Sequence, residues 1–189
     1  MVSSGVIFFP HTYLRVLPDS DRADTPVGEM IIVADEQGRM RALGWSDLEE
    51  RLTGPLVILY RKSGYTLTPK RDPGGLTTAM RRYFAGDLAI IDTLPIETGG
   101  TPFQRAAWSA LRKVPCGTTR TYAEHARLIG KPAAIRAVGT ANGANPISVV
   151  VPCHRLIGAD GSLVKYGGGL RRKEWLLAHE GARDRNSRA

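Results

Sequence analysis

The strongest constraint on how this chain folds is the punctuation of its second half, where helix start and stop signals leave few alternatives. Thr101 followed by Pro102 reads as an N-cap with proline at the first helical position, and Phe103, Ala106, Ala107, Ala110 and Leu111 recur at helical spacing as far as Lys113. Val114-Pro-Cys-Gly117 ends that helix. Thr121-Tyr-Ala-Glu124 is a capping box that opens a second helix ending at Ile129, before Gly130, and Pro132 predicts a third over Ala133 to Ala141. Two short helices joined by Gly-Lys-Pro have helix-turn-helix proportions.

The first half has a different texture. Tyr13 to Leu17, Glu29 to Ala34 and Arg39 to Trp45 carry β-rich apolar residues, with a turn at Asp35-Glu-Gln-Gly38, and suggest an antiparallel meander. Ser46 can cap a short helix through Leu52 that Gly54-Pro55 should end; Leu56 to Tyr60 can be helix or strand. A further helix is expected from Leu76 to Ala85, stopped by Gly86. Nothing in residues 1–98 gathers chemical groups, so this half is expected to be scaffold. The reading is an α+β chain with a sheet-bearing unit over 1–98, a mostly helical unit over 99–182, and a disordered basic tail over 183–189.

Charge follows the same division. Residues 99–189 hold 15 Lys and Arg against 5 Asp and Glu, whereas residues 1–98 hold 11 against 13, so the net +8 belongs to the second half. Such asymmetry suits a polyanion, and nucleic acid is the commonest. No apolar run approaches the ~20 residues of a membrane span, and the first ten residues lack the basic start of a secretory signal, which predicts a cytoplasmic protein without a membrane partner. Two cysteines, Cys116 and Cys153, are expected as free thiols and are too few for a structural zinc site; no metal or organic cofactor is expected.

Chemistry concentrates at Ile147-Ser-Val-Val-Val-Pro152-Cys153-His154-Arg155. An apolar, strand-like run halted by proline presents a thiol with a base beside it. Taken alone, this pattern leaves proteases, hydrolases and redox enzymes open. The predicted third helix narrows the choice. Ala133, Ala134, Ala137 and Gly139 are small, so the helix can approach another surface closely while Arg136 projects from it. One long arm on a small-residue face suits the minor groove and intrusion into a base stack better than major-groove reading. Cys116 lies in a similar Val-Pro-Cys context without a following His and Arg, and reads as structural.

Arg136-Ala-Val-Gly139, Asn145-Pro146, Pro152-Cys153-His154-Arg155, Tyr166-Gly-Gly-Gly169 and Lys173-Glu174-Trp175-Leu176 together resemble the O6-alkylguanine-DNA alkyltransferases, most closely the bacterial stand-alone kind, from about Tyr13 onward. The resemblance implies an RNase H-like N-terminal domain with an antiparallel sheet and a C-terminal domain holding a helix-turn-helix and the active site. It also implies direct-reversal repair, in which an alkylated base is flipped from duplex DNA and its O6-alkyl group, or the O4-alkyl group of thymine, passes irreversibly to Cys153. In that scheme Arg136 fills the stack, and Asn145, Cys153, His154 and Glu174 form one hydrogen-bond network. Tyr122 donates to the leaving base, Tyr166 walls the pocket, the Gly167 amide faces O6, and the carbonyls of Cys153 and Leu156 accept from the exocyclic amine. Ser148 stands where some members have proline, a change that can widen the pocket. A monomer, able to bind DNA cooperatively, is expected. The alternatives are a non-catalytic alkyltransferase-like damage-binding module, which the presence of Cys153 argues against, and a cysteine hydrolase, which would turn over.

Overall fold

The computed structural model describes residues 18–60 and 64–182; the expected strand over Tyr13 to Leu17 and the tail 183–189 lie outside them. β1 (Asp19–Ala23), β2 (Met30–Ala34) and β3 (Met40–Trp45) form an antiparallel meander, and β4 (Thr68–Pro69) pairs parallel to β1, so the sheet runs β3-β2-β1-β4 and is mixed rather than purely antiparallel. β1 is polar, Asp-Ser-Asp-Arg-Ala, and carries no apolar alternation by which to recognise it. Met30-Ile-Ile-Val-Ala34 is buried throughout because both faces of β2 are covered. Met30, Ile32 and Ala34 enter the main core, while Ile31 and Val33 meet Leu52 and Leu56.

That second contact corrects one sequence expectation. After a 3-10 turn at Ser46–Leu48, α1 runs from Glu49 to Leu59, straight through Gly54-Pro55. Proline inside a helix costs about 3 kcal/mol. Burying Leu52 and Leu56 against the sheet returns about 1.5–3 kcal/mol each and keeps the helix whole. α2 (Leu76–Phe84) ends at Gly86 as expected, and α3 (Ile90–Thr93) is one short turn without a sequence signal.

The second half contributes α4 (Pro102–Leu111), α5 (Tyr122–Leu128), α6 (Ile135–Gly143) and α7 (Leu170–His179), with a two-stranded parallel pair β5 (Arg120–Thr121) and β6 (Leu156–Ile157). Both N-caps are reciprocal capping boxes, Thr101 with Gln104 and Thr121 with Glu124. α6 starts two residues later than predicted: the Ala134 amide bonds back to Lys131 O at 2.8 Å, and Pro132–Ala134 form the connecting turn.

The run Ile147–Val151 is not a strand. Only Ile147 makes a bridge, to Leu43, and Ser148–Val150 form a buried turn with Val149 at φ 68°. A left-handed β-branched residue costs on the order of 1–3 kcal/mol and persists where its surroundings over-determine it. Here they do: Leu43 N donates to Pro146 O at 3.0 Å, Ser148 N donates to Leu43 O at 2.8 Å, and Ile147, Val149, Val150 and Val151 are all in the core. The exposed edge of β3 is therefore what holds the turn ahead of Cys153, and Pro95–Glu97 close the remainder of that edge. The two halves also meet closely at Gly168, where an added Cβ would lie 2.5 Å from the Trp45 ring and 2.8 Å from Tyr166. Gly168→Ala is expected to cost about 1–3 kcal/mol, read as a lower urea midpoint with an unchanged denaturant slope.

Candidate active site

Cys153 begins a single 3-10 turn, Cys153–Arg155, in which the thiol, the imidazole and the guanidinium are all buried. Asn145 organises the approach to it. Its Oδ1 accepts from Ile147 N at 3.0 Å, and its Nδ2 faces Val151 O at 2.8 Å and Cys153 Sγ at 3.0 Å. One amide thus ties the strained turn to the nucleophile. Burial pushes the Cys153 thiol above its usual range, opposed by the Asn145 bond and the Lys173 charge, so the resting group is a protonated thiol.

Behind the thiol the structure corrects the assignment of the carboxylate. Glu174 is exposed on α7, while Glu180, just past the end of that helix, is buried and bonds His154 Nε2 at 3.0 Å. The helix geometry explains the difference: Lys173, Leu176, Leu177 and Glu180 follow the 3–4 spacing of the buried stripe, and Glu174 is one residue, about 100°, off it. Glu180 also accepts from Arg155 Nε and Nη2 and from Tyr83 Oη, each at 2.8 Å. Tyr83 belongs to α2, so the first half supplies a group to the site after all, contrary to a purely scaffolding role. Arg155 continues outward to Val114 O and to Cys116 Sγ, and burial raises the Cys116 thiol to about 11. Both cysteines are free thiols, and Cys116 sits in the framework as its sequence context suggests.

Protonation follows from this wiring. Burial lowers the affinity of His154 for a second proton, against the pull of Glu180, with the cations Arg155 and Lys173 adding to the lowering. Burial alone would raise the Glu180 carboxyl, but its His154 and Arg155 contacts outweigh that and hold it well below the usual carboxylate range. The pair is a neutral imidazole beside a carboxylate. Because a carboxylate only accepts, Nε2 carries the proton, and Nδ1, buried and without a partner among the described residues, is the open base.

Lys173 is buried with its Nζ bonded to the carbonyls of Leu156 and Val164, the latter at 2.8 Å, and burial lowers it to about 8. The Leu156 carbonyl is therefore already engaged, as is that of Cys153, which accepts from Asn142 Nδ2 at 3.3 Å. Tyr122 opens α5 with its hydroxyl 3.3 Å from the same Asn142 amide. Tyr166 packs edge-on to His154 and Trp45, and Gly167 lines the entrance. A cleft of about 410 Å³ reaches Cys153, walled by Asn142–Pro146, Ser148 and Gly167–Gly168 on one side and by β3 and α1 on the other. Asn142, Lys173, Glu180 and Tyr83 were not foreseen as site residues.

On the outer surface, α6 turns Val138, Ala141 and Asn142 inward and leaves Arg136 and Ala137 exposed with Gly139 half-buried, while in the turn before it Ala133 is exposed and Ala134 half-buried. The Trp108 indole fixes the helix by donating to Ala141 O at 2.8 Å. Among the described residues no cluster of His, Cys, Asp and Glu is arranged to hold a metal, and no helix is long and apolar enough to cross a membrane.

Comparison with known proteins places this arrangement. Residues 102–182 match the family described as "6-O-methylguanine DNA methyltransferase, DNA binding domain". The chain is 53% identical over 168 residues to the methylated-DNA–protein-cysteine methyltransferase of Shigella flexneri, covering 89% of this chain and 97% of that protein. It is 37% identical over 159 residues to the protein of the same name from Methanosarcina acetivorans, covering 84% and 96%. Among solved structures, that of Mycobacterium tuberculosis OGT in complex with DNA superposes with a TM-score of 0.70 at 37% identity, covering 86% of this chain and 92% of that one.

The two carboxylates make a direct test of the site. Glu174→Gln should leave stability within about 0.5 kcal/mol. Glu180→Gln should cost about 3–5 kcal/mol, because Arg155 stays buried without its counter-charge. Since the folded-state carboxyl lies below its unfolded value, this stabilisation is complete above about pH 4.3 and is lost as pH falls below it. Urea titrations between pH 7 and pH 3 should show the wild-type advantage over Glu180→Gln shrinking with acid.

Proposed function

The chain belongs to the methylated-DNA–protein-cysteine methyltransferase family, and from that premise we propose how its residues carry out direct-reversal repair of alkylated DNA. Cys153 Sγ attacks the alkyl carbon in line with the bond to O6. The thiol proton leaves to His154 Nδ1, directly or through one water, and Glu180 stabilises the imidazolium that forms. The C–O6 bond breaks with its electron pair passing to the base, where Tyr122 Oη supplies a hydrogen bond to the developing charge, and the proton returns to the guanine. The products are a thioether on Cys153 and an unmodified guanine. The supporting observation is the orientation of His154: Nε2 lies 3.0 Å from the Glu180 carboxylate, and Nδ1 has no partner among the described residues.

Glu180, rather than Glu174, fills the role of orienting acid. Asn145 positions Sγ, Gly167 lines the cleft, and Tyr166 packs against His154 and the cleft-lining Trp45. A thioether offers water no easy route to release the alkyl group, so each molecule acts once, which separates this reading from a cysteine hydrolase. O4-alkylthymine is a second substrate.

The DNA-facing element is α5–α6 in a helix-turn-helix arrangement within a unit spanning 99–182. Exposed Arg136, flanked by Ala133 and Ala137, suits close approach to the minor groove and occupation of the space left by a flipped base. The protein acts as a monomer in the cytoplasm.

Incubation with excess duplex carrying O6-methylguanine should transfer about one methyl group per protein, located on Cys153 by mass spectrometry, with none in Cys153→Ala. Repeated turnover, or transfer that survives Cys153→Ala, would refute the mechanism. Arg136→Ala should weaken transfer from duplex DNA by at least about tenfold while sparing reaction with free O6-benzylguanine, which needs no flipping.

A further inference from the structure

Asn142 occupies the last turn of α6, is 6% exposed, and lines the same cleft as Cys153. Its side-chain orientation is dictated by its neighbours. The Cys153 carbonyl can only accept, so the Asn142 group 3.3 Å away is the amide nitrogen, which also reaches Tyr122 Oη at 3.3 Å. The other end, Oδ1, is then a buried acceptor with no partner among the described residues. Buried acceptors are rarely left unpaired, and one on a residue that lines a ligand cleft marks where a donor can arrive.

The substrates differ in what they can offer it. Alkylation at O6 removes the N1 hydrogen of guanine, so the only donors left on that edge of the base are the two hydrogens of the exocyclic amine. Alkylation at O4 removes the N3 hydrogen of thymine, whose remaining group on that edge is a carbonyl, itself an acceptor. Only the purine can satisfy Asn142.

We propose that Asn142 is a specificity-determining residue, its free Oδ1 taking a hydrogen of the exocyclic amine of O6-alkylguanine and so favouring the alkylated purine over O4-alkylthymine. The amide is tied to the backbone of the nucleophile through Cys153 O and to the hydroxyl of Tyr122. A base that satisfies Oδ1 is thereby registered against both groups. A site built to bond a substrate N–H rejects the analogue that lacks it more strongly than an apolar wall does.

This inference rests on the alkyltransferase reading, and the experiment separates the two. Single-turnover rates of wild type and Asn142→Leu are measured on duplexes carrying O6-methylguanine, O6-methylhypoxanthine, which is the same base without its amine, and O4-methylthymine. Methyl transfer from O6-methylguanine to Cys153 in wild type tests the alkyltransferase reading by itself, and its absence takes both claims down. Loss of the amine should slow wild type about tenfold. In Asn142→Leu the two purines should react within about twofold of one another, through a fall on O6-methylguanine that exceeds any fall on O4-methylthymine. Equal wild-type rates on the two purines overturn the proposal without any variant. So does a tenfold gap that persists in Asn142→Leu, which would place amine recognition on another group. Thermal unfolding of the variant is measured in parallel, with Asn142→Ala as the replacement where Leu prevents folding.

Discussion

The buried carboxylate of Glu180 is the interaction on which the rest of this structure depends. It joins three elements at one point: the nucleophile turn through His154 and Arg155, α2 through Tyr83, and the end of α7 from which Glu180 itself hangs. Its negative charge is tolerable in the interior because Arg155 offsets it through two bonds, and Arg155 is in turn satisfied by Val114 O and Cys116 Sγ. Among the described residues, the polar cluster is closed on the side of Glu180 and open at His154 Nδ1. Such a network fixes the imidazole in one tautomer and one orientation, so folding and proton transfer share a framework.

A second constraint acts on the other side of Cys153. The turn Ser148–Val150 carries a left-handed valine, is pinned by the edge of β3, and is tied to Sγ by Asn145. Neither half of the chain could present the thiol alone. The sheet supplies the edge that receives Pro146 and Ser148, α2 supplies Tyr83, and the helical half supplies the reacting groups. The cleft lies along the seam between the halves, so its shape depends on both.

What could be read in advance divides according to the range of the forces involved. The N-cap at Thr101, the capping box at Thr121 and the stop at Gly86 are local patterns, and the structure keeps each of them. Non-local packing decided the others. Gly54-Pro55 reads as a helix end until Leu56 finds the sheet, and Ile147–Val151 reads as a strand because nothing local announces that β3 and Asn145 will bend it. Glu174 was favoured by its place in a motif. The spacing of Lys173, Leu176 and Leu177 points instead to Glu180, which shares their buried stripe, and an acidic residue at such a position is uncommon without a partner. Asn142 had no signal at all, since a lone asparagine near a helix end usually caps it.

The resting state suits a protein that spends its nucleophile. A thiolate kept ready would react with oxidants and adventitious electrophiles as well as with DNA, and each such event would consume a molecule. Here the thiol is 4% exposed, burial keeps it protonated, and the base behind it is neutral rather than already charged. Lys173, the nearby cation, is committed to two backbone carbonyls, so it offsets the charge that appears on reaction without creating a free thiolate beforehand. In the proposed mechanism, reactivity depends on a base entering the cleft, excluding water and bringing the alkyl carbon to Sγ. Proton transfer to His154 in that mechanism then costs less because the electron pair is accepted elsewhere in the same step. Selectivity for the lesion and protection of the thiol are consequences of one arrangement, a buried acid–base pair that is balanced until substrate arrives.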